Sequence, residues 1–222
     1  MLYIVSTPIG NLKDITLRAI EVLKSVDLVA AEDTRHTRIL LDAYDITTPL
    51  TSFFEHNEDR KAAHIVSLLK EGKSVALVTD AGTPGISDPG FPLIRLAKAE
   101  QVPMTVIPGP AAFLAALSLS GLPSDRFAFR GFLPVKSGAR RKALAACTAA
   151  DGTVIFYESP HRILKTLKDI EEVLKDQVIV LVREATKKFE ERLEGRASEL
   201  LAHFTRKTPQ GEFVLLVPRE KG

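Results

Sequence analysis

Short runs of aliphatic and β-branched residues recur along this chain, and in its first half each is followed by a helix-patterned segment. Leu2-Tyr-Ile-Val5, Ser74-Val-Ala-Leu-Val-Thr79 and Met104-Thr-Val-Ile107 read as strands, the second of a kind buried on both faces. Residues 27–31 read as a further short strand. Helical spacing follows Asp14, a candidate N-cap, with Ala19, Leu23 and Val26 on one face. It returns over residues 34–44, 57–70 and 93–100, and Pro110 opens an Ala-rich helix to residue 119. A strand that feeds a helix and then another strand builds a parallel sheet with helical crossovers.

Gly121-Leu-Pro-Ser-Asp125 breaks this rhythm and is read as a domain boundary, separating residues 1–120 from 121–222. Beyond it, strands are predicted over 127–132, 153–157, 178–182, 189–193 and 213–217, with helices over 160–174 and 198–204. The later strands alternate more and sit closer together, which predicts a mixed sheet. The expected fold is therefore α/β, with a mainly parallel N-terminal sheet and a mixed C-terminal one.

Composition sets the limits of this reading. A chain of 222 residues, 45% hydrophobic, has enough apolar side chain for two small cores. It has no apolar run near the ~18 residues of a membrane span. The start carries no early Lys or Arg and resembles no signal peptide, and the single cysteine, Cys147, forbids an intrachain disulfide. A cytoplasmic protein is expected. The 30 basic and 28 acidic residues nearly cancel, but residues 126–150 hold six basic side chains and no acidic one. That run is either a solvated face or a phosphate-contacting patch.

Three loops leave the carboxyl ends of apolar strands, where open α/β sheets build their ligand crevice. Ser6-Thr-Pro-Ile-Gly-Asn11 stands in the place of a dinucleotide glycine loop without its spacing, and no phosphate-binding P-loop occurs anywhere. Thr79-Asp-Ala-Gly-Thr-Pro-Gly-Ile-Ser-Asp-Pro-Gly90 combines glycines that admit a ligand to the backbone with prolines that stiffen the path, and Asp80 stands where the strand ends. Ile107-Pro-Gly-Pro-Ala-Ala112 is small enough for close packing. The five histidines show no metal-ligand spacing, so no metal site is expected. Ser87 lacks the spacing of a nucleophile elbow.

Several ordered blocks carry a resemblance. They are Leu2-Tyr-Ile-Val-Ser-Thr-Pro-Ile-Gly-Asn11, Ala30-Ala-Glu-Asp-Thr-Arg-His-Thr37, Val78-Thr-Asp-Ala-Gly-Thr-Pro84 and Pro108-Gly-Pro110. Gly121-Leu-Pro-Ser-Asp-Arg-Phe127, Gly131-Phe-Leu-Pro134, Ile155-Phe-Tyr-Glu-Ser159 with His161-Arg162, and Arg183-Glu184 follow. From Leu2 to about Val217 the chain resembles the ribosomal RNA small subunit methyltransferase I branch of the tetrapyrrole methylase superfamily. The resemblance implies an S-adenosylmethionine-dependent enzyme that methylates the 2′-oxygen of a decoding-centre cytidine in 16S ribosomal RNA. It implies a homodimer of two-domain subunits with a cofactor cleft between the domains, acting on ribosomal RNA or the 30S subunit. Many members continue into a further C-terminal helical segment.

For the cofactor, the loop residues Asp80, Gly82, Thr83, Ile86 and Ser87 are the candidates, with Pro8, Pro110 and Ala111 as walls. The resemblance adds Phe132, Leu133, Tyr157, Ala185, Gly211 and Glu212 from the second domain. A ribose hydroxyl is a poor nucleophile while protonated, so a general base is wanted. Glu158 and Asp33 are the candidates, and each has a rival role as the holder of an arginine, Arg162 or Arg35. For RNA the candidates are Arg35, His36, Arg38, Arg140, Arg141, Lys142, His161 and Arg162, with Phe53, Phe54 and Tyr157 as stacking platforms. Two other functions stay open: methylation of a tetrapyrrole precursor, and a non-catalytic S-adenosylmethionine-binding module of ribosome assembly.

Overall fold

The computed structural model describes residues 1–219 and divides into two compact units, Met1–Ala111 and Ala112–Gly222. In the first, β1 (Leu2–Val5), β2 (Leu28–Ala31), β3 (Leu50–Ser52), β4 (Val75–Val78) and β5 (Met104–Ile107) form one sheet in the order β3-β2-β4-β1-β5. Every pairing is parallel. All four residues of β4 are buried, as a central strand covered on both faces requires.

The helices α1 (Leu17–Ser25), α2 (Thr34–Ala43), α3 (Glu58–Lys70) and α4 (Phe91–Ala99) supply that cover. One core gathers Leu23, Leu41, Ile46, Val29 and Ile107; the other gathers Leu2, Phe53, Ile65, Leu77 and Leu93. One local expectation is corrected here, and one strand was not expected at all. The cap of α1 is Thr16, whose hydroxyl accepts from the Ala19 N–H at 3.1 Å, while Asp14 ends a preceding 3₁₀ turn. Strand β3 has only three residues after a proline and left no alternation to read.

The second unit holds β6 (Phe127–Phe132), β7 (Thr153–Glu158), β8 (Val178–Arg183), β9 (Glu191–Arg196) and β10 (Phe213–Val217) in the order β6-β7-β10-β8-β9. β6 and β7 run parallel and the remaining pairs antiparallel, so the sheet is mixed. Helices α6 (Ser137–Ala145), α7 (Ile163–Val173) and α8 (Ala197–Arg206) belong to this unit, and the core on their side gathers Leu144, Ile163, Leu167, Phe204 and Phe213. Helix α5 (Ala112–Ser120) lays Ala116 and Leu117 on Ile155, Val180, Val214 and Leu216 of the opposite face. The division therefore falls before α5, not after residue 120. The Gly-Pro punctuation at 121–125 marks the end of a helix that the second sheet already owns. Strand β9 begins two residues later than expected, at Glu191, and Phe189 is left outside it, 65% exposed.

Cys147 is 4% exposed in the α6–α7 core, and burial pushes its thiol up to about 11, with Arg130 acting weakly against the shift. The thiolate is the reactive form, so the native protein should resist alkylation at about pH 8 and react once unfolded. Fast labelling of the native protein would contradict this packing.

Candidate active site

Strands β1 and β4 are neighbours, yet the chain leaves β1 towards β2 and leaves β4 towards β5, in opposite directions across the sheet. Such a switch point opens a crevice at the carboxyl ends of the strands. Here the two loops are stitched together. The Thr7 N–H donates to the Gly82 carbonyl at 2.8 Å and the Gly82 N–H returns to Thr7 at 3.1 Å. The Thr7 hydroxyl donates to the Thr79 carbonyl at 2.9 Å, and the hydroxyls of Ser6 and Thr83 lie 2.8 Å apart. The third loop presses on the first: a side chain at Gly109 would place its Cβ 2.9 Å from Cβ of Ser6. The loops are thus held rigidly from within. Ile86 and Ser87 are exposed at the rim, while Pro8 and Gly82 are buried. Ser87 has φ of 65°, a strained conformation of the sort that gathers at functional sites.

Three carboxylates meet at the ends of β2 and β4. Glu32 Oε2 accepts from the Thr79 hydroxyl at 2.6 Å and from the Asp80 N–H at 3.3 Å. Asp80 Oδ1 in turn accepts from the Asp33 N–H at 3.1 Å. Burial raises the pKa of Asp80 above the usual carboxylate value; the Asp33 N–H and His36 oppose that shift, and the charges of Glu32 and Asp33 add to it. Glu32 escaped sequence reasoning, although its place beside Asp33 in a strand-end block was the available signal.

Both proposed bases have partners of their own. Asp33 caps α2, accepting from the Arg35 N–H at 2.8 Å, and pairs with the Arg35 guanidinium at 3.0 Å. Those bonds hold its carboxyl at about 2, so it accepts a proton poorly. Glu158 is 1% exposed; its oxygens accept from the Thr166 hydroxyl at 2.7 Å and the Ser159 N–H at 2.8 Å, and it pairs with Arg162 at 3.2 Å. Arg162 also donates to the carbonyls of Leu133 and Pro134. This pair ties the loop after β6 to the end of β7, which is a structural task.

The other second-unit candidates share one end of their sheet, because β6, β7 and β8 finish where β10 begins: Phe132 pairs with Tyr157, and Phe213 faces both Glu158 and Arg183. Phe132 is 54% exposed, with its ring 5.5 Å from Tyr157, and Tyr157 also meets Phe129 at 4.8 Å. The Leu133 side chain is buried, so only its backbone can face a ligand. Ala185 lies between Glu184 and Thr186, both at positive φ. Lys187 Nζ bridges the carboxylates of Glu184 and Glu212, each at 2.9 Å, and so fixes the Gly211-Glu212 turn.

The basic candidates separate by burial. Arg140 is 4% exposed and pairs with Asp169 at 2.6 Å inside the core, so it meets no phosphate. Arg162 is committed as described. Arg141 is half-exposed but pairs with Glu172 at 2.5 Å and Asp169 at 3.4 Å. Arg35 is 90% exposed in its pair with Asp33, and Arg38 is near Asp42 at 3.9 Å. His36, Lys142 and His161 are exposed. Phe53 is core and Phe54 is half-exposed, so only the latter remains a platform on this unit.

Among the described residues no group of three or more His, Cys, Asp or Glu is placed to hold a metal ion. Residues 1–201 match the family model of Tetrapyrrole (Corrin/Porphyrin) Methylases. The chain is 45% identical over 216 residues to the ribosomal RNA small subunit methyltransferase I of Thermotoga maritima, covering 97% of each. It is 50% identical to the protein of that name from Escherichia coli O157:H7, covering 99% of this chain and 78% of that one. Its fold matches the uroporphyrin-III C-methyltransferase of Thermus thermophilus, solved with S-adenosyl homocysteine, at a TM-score of 0.68 and 19% identity, covering 97% and 96% of the two chains.

Proposed function

The chain belongs to the tetrapyrrole methylase family and, within it, to the ribosomal RNA small subunit methyltransferase I group; from that membership we propose that it methylates 16S ribosomal RNA at the 2′-oxygen of a decoding-centre cytidine, with S-adenosylmethionine as donor. The observation that carries this reading is the identity of 45% over 97% of both chains, which leaves no major part of the fold unmatched. The cofactor brings a methyl group on a sulfonium cation, together with a zwitterionic amino acid end, an adenosine and no phosphate.

The strand ends fit such a group. Glu32, Asp33 and Asp80 make the end of the parallel sheet negative, and the backbone of the rim from Thr83 to Ser87 supplies N–H and carbonyl groups without a phosphate cradle. Pro8, Gly82, Pro110 and Ala111 would line it in the first unit. In the second, Phe132, Tyr157, Ala185, Gly211, Glu212 and the Leu133 backbone would do so. Their part in the reaction would be to fix the methyl donor in one orientation, since alignment alone removes much of the barrier to transfer. For RNA, the exposed Lys142, His161, His36 and Arg35 and the half-exposed Arg38 and Arg141 remain, with Phe54 and Tyr157 as platforms. The same reading includes a homodimer, which sedimentation would test. It also includes a cytoplasmic location, and no helix among the described residues is long and apolar enough to cross a membrane.

The test is to incubate the protein with methyl-labelled S-adenosylmethionine and unmodified small ribosomal subunits, free 16S RNA or a tetrapyrrole precursor. Label should appear on one cytidine ribose. Label in the tetrapyrrole alone would replace the reading, and cofactor binding without transfer to any acceptor would reduce the protein to a binding module.

A further inference from the structure

Strand β8 turns into β9 through residues 184–190, and the opposed pair Arg183 and Glu191, whose side chains meet at 3.1 Å, bounds that loop. Hairpins usually close with about two to five residues, rich in Gly, Asn, Asp or Pro. This loop is longer, holds none of those four types, and carries Phe189. Phe189 is 65% exposed, and Lys188 Nζ lies over its ring, 5.6 Å from the centroid. The ring belongs to neither core of the second unit. Neither turn chemistry nor packing explains a phenylalanine there.

The loop nevertheless holds one shape. The Lys187 N–H donates to the Glu184 carbonyl at 3.0 Å, and the Glu190 N–H donates to the Lys187 carbonyl at 3.1 Å. The Glu190 carboxylate accepts from the Thr186 N–H at 2.6 Å, which closes the segment that carries Phe189. Lys187 Nζ, bridging Glu184 and Glu212, fastens the loop to the turn before β10. An aromatic ring displayed on a fixed loop loses little freedom when it binds. Lys188 and Glu190 are exposed on either side of it. One ring in so polar a setting matches a single base, and is far below the few hundred Å² of a protein-docking patch. A flat apolar face beside a cation is what single-stranded RNA recognition uses, the face for an unstacked base and the cation for a phosphate.

We propose that Phe189 is a stacking platform for an unpaired base beside the acceptor nucleotide, with Lys188 at the adjoining phosphate. The inference rests on the ribosomal RNA reading above and deepens it to a contact. Lys188 lies over one face of the ring and leaves the other for the base. Ala185, among the residues proposed to line the cofactor, stands four positions before Phe189. At most about 14 Å of chain therefore separates them, so the platform stands near the nucleotide that receives the methyl group.

The test measures methyl transfer by the full chain to unmodified small ribosomal subunits. Phe189→Ala should raise the KM for subunits roughly 5- to 100-fold and leave kcat nearly unchanged, because stacking of a flanking base is uniform binding. Phe189→Tyr should keep the wild-type KM. Phe189→Leu, apolar but without a flat face, should behave like Phe189→Ala. All three should match wild type in S-adenosylhomocysteine affinity and denaturant midpoint, since the ring is outside both cores. Lys188→Gln should reduce the salt slope of subunit binding by about one. Ultraviolet cross-linking of the wild-type complex should join the peptide containing Phe189 to a nucleotide next to the acceptor. A cross-link to a ribosomal protein instead would overturn the inference, as would a wild-type KM in Phe189→Leu or a changed oligomeric state in Phe189→Ala. If wild type methylates no RNA, the RNA reading has failed and the inference goes with it. If wild type methylates RNA and Phe189→Ala keeps its KM, the inference fails alone.

Discussion

Arg140→Ala should lower the stability of the protein by about 3–5 kcal/mol, the cost of removing one partner from a buried ion pair. The Arg140 guanidinium bonds Asp169 through Nε at 2.7 Å and the Val135 carbonyl at 3.1 Å, with side chains only 5% and 9% exposed. Without it, Asp169 keeps only the longer contact to Arg141 at 3.4 Å, and a charge remains buried between α6 and α7. Replacing both partners, as in Arg140→Met with Asp169→Leu, should recover most of the loss, because apolar groups of similar volume fill the site without a desolvation cost. Denaturant midpoints and the alkylation rate of Cys147, which lies in the same core, both report the effect. At temperatures where the variant is folded, the salt dependence of RNA binding should match wild type. A flatter salt slope with an unchanged midpoint would return Arg140 to the RNA surface.

Gly152→Ala should cost about 3 kcal/mol or more, since backbone strain and steric overlap act together there. The residue has φ of 145°, which L side chains rarely adopt, and an added Cβ would lie 2.2 Å from the Arg126 carbonyl oxygen. That oxygen accepts the Thr153 N–H at 3.0 Å and opens the β6–β7 ladder at Phe127 and Thr153. The neighbour is backbone, so no side-chain rotation relieves the clash. Hydrogen exchange should show protection lost first along Phe127–Phe132 and Thr153–Glu158. A midpoint equal to wild type would mean that the two strands meet differently.

The loops of the first unit were legible because their chemistry is local. Glycines and prolines at the ends of apolar runs announce rigid loops, and parallel topology places such loops together. The charged residues were not, because the fate of a charge depends on what lies opposite. Arg140 and Lys142 stand two apart in one basic run; Asp169, from a helix far along the chain, buries the first and leaves the second in solvent. Glu158 looked like a base at a strand end until Thr166, Ser159 and Arg162 took its oxygens. Helix α5 is apolar nearly all round, so its sequence names no partner, and the second sheet had the uncovered face.

By itself the sequence determined the alternation of strand and helix, the two sheets of parallel and mixed type, the loops at the strand ends and the family. Each depends on periodicity, turn chemistry or ordered blocks, all written over a few neighbouring residues. Only the tertiary structure decided where the chain divides, which arginines are buried, and which partners the carboxylates of Asp33, Glu158 and Asp80 bond. Those outcomes are set by burial and by partners distant in sequence, since the dielectric around a charge and the bonds open to it exist only after the strands have been assembled.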